Sequence, residues 1–417
     1  MKKTSIIIFL NILSLSIYAQ NSLDDLLIEA AQNNPALKSQ YYKYSAALER
    51  VDQQNTLPDP TVSFGYFISP VETRVGAQRF KLSVSQMFPW MGSLKAKETL
   101  AAAGAKVQFE KFQELKNELF YQVRLAYSDL YLLRQEIKLK EEDVAVLQSY
   151  EPITKTKYES NLVSLSDLIR VQIATENAQS DLAVMMAQER PLLAKLNTLV
   201  NREIERNIVT ELPFNEISNT RELDSALSNH PSIIRAQSQI LEAEQQIELS
   251  NRRTKPNIGI GLDYAFVDER TDMDVADNGK DIFMPMVSLS LPLFGKRNRA
   301  LEKEAQLSRS SALSALEATE NQIRSSWTTM NYEQERSEIT LERFKNEEKQ
   351  TELLLSVLLS EYSNNSRNFE ELLATQQKLL KLRLTILENE VALIKSRFFN
   401  AYLSGTTLNK FNDYEIK

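Results

Sequence analysis

Apolar residues recur along this chain with two periods, and the periods alternate in blocks. Around residue 65 the period is two: Val62, Phe64, Tyr66 and Ile68 alternate with Ser63 and Gly65, and Phe80, Leu82, Val84 and Phe88 share a face opposite Lys81, Ser83 and Ser85. The same pattern returns near residue 260. Ile258, Ile260, Leu262, Tyr264 and Phe266 alternate with Gly259, Gly261, Asp263 and Ala265, followed by Val287, Leu289 and Leu291 against Met286, Ser288 and Ser290. Alternation over this length predicts two β-hairpins, at about 61–88 and 257–293, each apolar on one face. Elsewhere the spacing is heptad-like. Leu119, Val123, Ala126, Leu130, Leu133 and Ile137 step by four and three, while Leu372, Leu379, Ile386 and Leu393 run beside a second seam, Leu373, Leu380, Leu387 and Ile394. A sustained seven-residue repeat predicts left-handed supercoiled helices, and two adjacent seams let one helix touch a neighbour on each side.

The blocks occur in one order, twice. Asn34-Pro35 and His230-Pro231 each open an amphipathic run, and Pro60 and Pro256 each precede a hairpin, with an offset of 196 in both pairs. Helix breakers are confined to small parts of the chain. Seven of nine glycines lie in or beside the hairpins, and neither Gly nor Pro occurs from Lys296 to Ser404 or across 105–151. The plan is therefore a signal segment at 1–19, a first repeat at 20–200, a linker at 201–222, a second repeat at 223–404 and a polar tail at 405–417.

Composition narrows the setting. Lys2 and Lys3 precede an apolar run from Ile6 to Ile17, and Ala19-Gln20 is a plausible cleavage point, the pattern of a secretory signal. Loss of residues 1–19 would move the formal charge from −7 to −9, which argues against nucleic acid as a partner. With no cysteine, disulfides, thiolate metal sites and a lipid-modified N-terminal cysteine are excluded. No later stretch approaches the ~18 apolar residues of a membrane-spanning helix. The single histidine, His230, matches Asn34 in the other half and reads as a helix cap rather than a metal ligand. Six acids between Asp268 and Asp281 suit either a solvated loop or a hard cation, and the solvated loop is preferred because no motif of ligand spacing is present. Met87, Met91, Met284 and Met286 read as packing residues near the strand ends. No nucleophile elbow, phosphate loop or triad is evident, so no enzyme, metal or cofactor is expected.

The heptads alone fit an antiparallel coiled coil with no pore, and the hairpins alone fit a small sheet packed on a soluble core. Strands of about ten residues, apolar on one face and small or polar on the other, also fit lipid outside and water inside. Four strands cannot close a barrel, and lipid does not tolerate open edges. In a membrane, several chains would have to share one barrel.

At this point the chain resembles the TolC family of outer-membrane efflux proteins. The resemblance is carried by the paired Asn34-Pro35 and His230-Pro231 starts, the two hairpins, the Pro-x-x-Gly exits at Pro89–Gly92 and Pro292–Gly295, and the reversals Tyr158–Leu168 and Tyr362–Leu372. It implies a mainly α fold with a small membrane β part. Long coiled-coil helices would form a trimeric α-barrel, and each chain would give four strands to a shared twelve-stranded β-barrel. The segment Ser85–Gly92 is most similar to members serving heavy-metal efflux pumps.

The resemblance also implies a location and a role. The location is the outer membrane of a Gram-negative bacterium, with a large periplasmic part. The role is the passive exit channel of a tripartite pump for small molecules or metal ions. Its partners would be two further copies, a periplasmic adaptor, an inner-membrane transporter and lipid. The same fold serves type I protein secretion, which stays open as an alternative beside a non-pore coiled-coil protein. By resemblance the helix reversals form the tip. Tyr158, Asn161, Leu162, Ser164, Asn365 and Ser366 would dock the adaptor, and Tyr362, Arg367, Glu370, Glu371 and Asp167 would form the gate and aperture. The family commonly has Gly where Asn161 and Asn365 stand, and a second acid where Ala374 stands.

Overall fold

The computed structural model describes residues 22–212, 223–293, 295–364 and 369–410. The expected signal segment and its cleavage point, part of the linker, and the chain beyond Lys410 lie outside the described residues.

The duplicated plan is visible as duplicated helix starts. Helices α1 (Leu23–Asn33) and α2 (Pro35–Gln54) are separated by Asn34, whose Oδ1 accepts from the amides of Ala36 and Leu37 at 3.0 and 3.1 Å. Proline follows at the first helical position, where its missing N–H costs nothing. Strands β1 (Thr61–Thr73) and β2 (Gly76–Phe88) come next, then α3 (Ser93–Glu159) and α4 (Leu165–Val200). In the second half α5 (Leu223–Asn229) and α6 (Pro231–Arg252) flank His230, whose Nδ1 accepts from the Ser232 amide at 3.2 Å. His230 thus caps α6 as Asn34 caps α2. Strands β3 (Asn257–Val267) and β4 (Ile282–Ser290), then α7 (Gly295–Ser363) and α8 (Phe369–Leu403), complete the repeat.

The long helices exceed the breaker-free stretches. α3 has 67 residues and passes through Pro152, and α4 passes through Pro191. Each proline forgoes one backbone bond, a cost that packing along so long a helix absorbs. The segment expected to be a polar tail begins with a short helix, α9 (Thr406–Lys410), in which Leu408 is buried.

The four strands form one antiparallel sheet in the order β1-β2-β3-β4. Both hairpins fall where alternation places them, and β2 pairs with β3 across the two halves, Val84 opposite Leu262 and Phe80 opposite Phe266. The register of β1 on β2 shifts between Tyr66 and Val71, around Pro70, which cannot donate to a ladder.

The chain divides into two compact units that interleave along the sequence. One holds the described parts of Met1–Ala30, Val123–Asn215 and Asn346–Glu388. The other holds those of Ala31–Gln122, Glu216–Lys345 and Asn389–Lys417, including the sheet. In the first unit, α3, α4, α7 and α8 close around Leu147, Tyr150, Val171, Tyr362, Phe369 and Leu372. Each fully buried side chain of this size contributes ~1.5–3 kcal/mol. In the second unit, Ala226, Ile233, Ile323 and Leu403 form a core joined by Trp327 and Phe399.

Candidate functional site

Two places carry chemistry or unusual surface: the helix reversals in the first unit and the sheet in the second.

The first reversal is built from local hydrogen bonds. At the end of α3, Asn161 adopts a left-handed φ of 58°, its amide donates to Tyr158 O at 2.9 Å, and Leu162 N donates to Lys157 O at 2.9 Å. This is the Schellman arrangement, and asparagine occupies its left-handed position at little cost. α4 then starts with a capping box. The Ser164 hydroxyl accepts from Asp167 N at 3.3 Å, and the Asp167 carboxylate accepts from Ser164 N at 3.1 Å. The Asp167 carboxylate is therefore engaged in the cap, with Arg170 at 3.9 Å.

The end of α7 is held from within. Tyr362 is only 2% exposed, and its hydroxyl shares a 3.1 Å hydrogen bond with Thr154 of α3. Its ring lies 5.3 Å from that of Phe369, the first residue of α8. Lys157 Nζ stands 4.8 Å over the Tyr362 ring and donates to Ser363 O at 3.5 Å, a cation at the carbonyl end of α7. Burial pushes the Tyr362 phenol above its ordinary pKa, while the Thr154 bond pulls the other way.

The remaining candidates lie outside this core. Glu370 is exposed at the start of α8 and accepts from Arg170 of α4 at 2.8 Å, tying the two returning helices together. Glu371 is exposed one position further on, and Tyr158, Asn161, Leu162 and Ser164 are exposed around the first reversal. Asn365, Ser366 and Arg367 lie outside the described residues. Sequence reasoning missed Thr154, Lys157 and Arg170, whose partners are residues up to ~200 positions away that no local spacing reveals. It also missed an exposed apolar stripe on α4, Leu165, Ile169 and Ile173, which steps by four.

In the sheet, the apolar face is bare: Ile68 is 91% exposed, Val287 80%, and Phe64 and Phe283 nearly as much. On the opposite face Gly259, Asp263 and Ala265 of β3 are buried, while Ser63, Gly65, Ser288 and Ser290 of the edge strands are exposed. A Cβ at Gly259 would meet Ser288 Oγ at 2.2 Å, so a larger residue there would turn the serine hydroxyl away. Met286 differs from its expected place near a strand end. It lies mid-strand in β4 opposite Gly261, whereas Met284, opposite Asp263, is two residues from the strand start at Ile282 as expected, and both are on the small face. Strands β1 and β4 are each paired on one side only.

The acidic loop satisfies much of its own charge. Asp268 pairs with Arg79, Asp272 accepts from Arg270 at 2.7 and 2.8 Å, and Asp281 takes the Tyr264 hydroxyl and the Val267 amide. Among the described residues, no group of three or more His, Asp or Glu side chains converges on a metal-sized site. No described helix is long and apolar enough to cross a membrane.

The chain thus combines a four-stranded sheet, bare on its apolar face and unpaired at both edges, with four long helices. No protein-family model matches the chain. In sequence it is 20% identical over 379 residues to the outer membrane efflux protein BepC of Brucella suis biovar 1 (strain 1330), covering 88% of this chain and 82% of that one. In structure it matches a membrane protein from Pseudomonas aeruginosa with a TM-score of 0.78 and 14% identity, over 92% of this chain and 90% of that one. It matches the outer membrane protein VceC of Vibrio cholerae with a TM-score of 0.76 and 16% identity, over 92% and 96%. The chain has the fold of the TolC-type outer-membrane efflux channels.

Proposed function

We propose that three copies of this chain form an outer-membrane channel that serves as the exit duct of a tripartite efflux pump. The observation that carries this is the sheet. Its exposed apolar face asks for lipid, and lipid requires every strand edge to be paired. One chain offers four strands and two open edges, so closure must come from other copies. Twelve strands from three chains make a barrel in the size range that leaves an aqueous lumen. The long helices then supply a periplasmic duct, and transport is passive diffusion through it.

The reversals are the proposed gate and docking site. Glu370 and Glu371 stand exposed at the head of α8, where three copies would present a ring of carboxylates favouring cations. Tyr362, with Thr154 and Lys157, holds α7 against α3 and sets the resting position of that ring. Tyr158, Asn161, Leu162 and Ser164 form a surface for an adaptor, and the Leu165–Ile173 stripe extends it. Arg367, Asn365 and Ser366 complete the proposal from sequence. The cargo is small molecules or metal ions.

The test is a deletion strain. Increased sensitivity to metals, dyes, detergents or antibiotics, together with a heat-modifiable trimer in the outer-membrane fraction of the parent, is the expected result. Unchanged sensitivity with loss of a secreted protein would replace efflux by protein secretion, and a soluble monomer would remove the channel altogether.

A further inference from the structure

The small face of the sheet carries one ion pair that neither hairpin geometry nor strand packing requires. Lys81 of β2 stands opposite Ala265 and Gly65, and Asp263 of β3 stands opposite Ser83, so the two side chains are diagonal neighbours on one face and form a salt bridge. Ser63, Gly65, Ser83 and Gly261 lie around the pair on this face, with Met284 directly opposite Asp263. A Cβ at Gly65 would meet nothing within 4 Å, which leaves open space beside Lys81. The other charged residues of the described strands, Glu72 and Arg79, lie at the turn end beyond the bulge, and Arg79 is engaged by Asp268. Lys81 and Asp263 are thus the charge of the mid-sheet. The two are presented unequally, with side chains 39% and 3% exposed, so the ammonium faces the open side and shields the carboxylate beneath it.

We infer that Lys81 and Asp263 form a charge-selecting belt in the lumen of the barrel. This rests on the channel reading, which places the small face inward. An ion pair at this depth is weak support for stability, since replacing both partners by neutral residues is often neutral or favourable. Its effect is electrostatic. Three copies put three ammonium groups at one level, each balanced by a carboxylate. The balance moderates the preference among charged solutes while leaving water-filled space for bulky ones. Removing either partner exposes the other's charge to every passing ion.

The experiment is the reversal potential of the purified protein in a planar bilayer under a KCl gradient. Asp263→Asn should shift permeability toward chloride and Lys81→Met toward potassium, each by roughly two- to threefold. The double variant should lie on the potassium side of the parent but short of Lys81→Met, because it loses the exposed ammonium together with the shielded carboxylate. Equal reversal potentials in parent and both single variants would overturn the belt while leaving the channel intact. Absence of any conductance from the parent protein would overturn the channel reading instead. The exchanged pair, Lys81→Asp with Asp263→Lys, covers loss of folding in the single variants and should conduct with altered selectivity. If none of these variants assembles while the parent does, the pair is a folding element and the belt is overturned.

Discussion

In the sheet, Val287 and Ile68 stand bare while Asp263 and Ala265 are covered; at the helical tip, Phe369 and Leu372 are fully buried while Glu370 and Arg170 stand outside. The two regions of one chain thus follow opposite rules. A tip in water buries its apolar residues and pins them with a few polar bonds, of which Tyr362 to Thr154 is the most enclosed. The sheet leaves its apolar face exposed, as the proposed contact with lipid requires, and carries its glycines and serines on the other. The same Leu or Phe is therefore a core residue in one region and a surface residue in the other, and only the surrounding medium decides which.

Substitutions of opposite kind break this contrast in order of size. Phe369→Ala empties the tip core and should cost ~3–5 kcal/mol, read as a lowered denaturation midpoint of the helical part with the sheet's heat resistance retained. Val287→Arg places a charge on the lipid face and should cost ~2–4 kcal/mol, read as loss of the membrane-inserted trimer, whereas arginine at exposed Glu371 should leave trimer yield unchanged. Tyr362→Phe keeps the ring but removes the bond to Thr154, and should cost about 1 kcal/mol and raise the frequency of open-tip current events. Ser164→Ala removes the cap of α4 and should also cost about 1 kcal/mol, leaving barrel assembly untouched.

A pH titration sharpens the contrast between either region and the helix start at His230. Burial depresses the His230 pKa from 6.5 to about 4, with Glu114 opposing. The unfolded chain therefore binds the extra proton in the window between these values. The stability contributed by neutral His230 is complete above about 6.5 and is lost as pH falls toward 4, by on the order of 3 kcal/mol. His230→Asn, which keeps a capping acceptor as Asn34 does, should flatten this slope in acid-unfolding curves.

Much of the fold was legible because it is periodic. The alternation at residue 62 and again at 258 located both hairpins, and the duplicated proline starts located α2 and α6, since both signals are local. Asn161, whose φ is 58°, was legible as a turn residue only through the resemblance, which puts Gly at its position. The tip's pins were not. Thr154 and Lys157 look like ordinary helix surface until α7 delivers Tyr362 to them, and Arg170 is unremarkable until α8 delivers Glu370. Long-range pairing also hid the register of β2 on β3, which joins the two halves into one sheet. Pro152 and Pro191 sit inside helices of 67 and 36 residues, where one forgone backbone bond does not end the helix.

The claim that everything rests on is closure of one barrel by three chains, and the absence of native cysteine makes it directly measurable. Cysteine pairs placed on the small faces of the two open edges, at Ser63 or Gly65 of β1 with Ser288 or Ser290 of β4, would be oxidised in outer membranes and run on a non-reducing gel. The expected result is a covalent trimer for the pairs in register, reverting to monomer on reduction. A protein found in the outer membrane in which every pair gives only monomers or dimers would contradict a barrel shared by three copies.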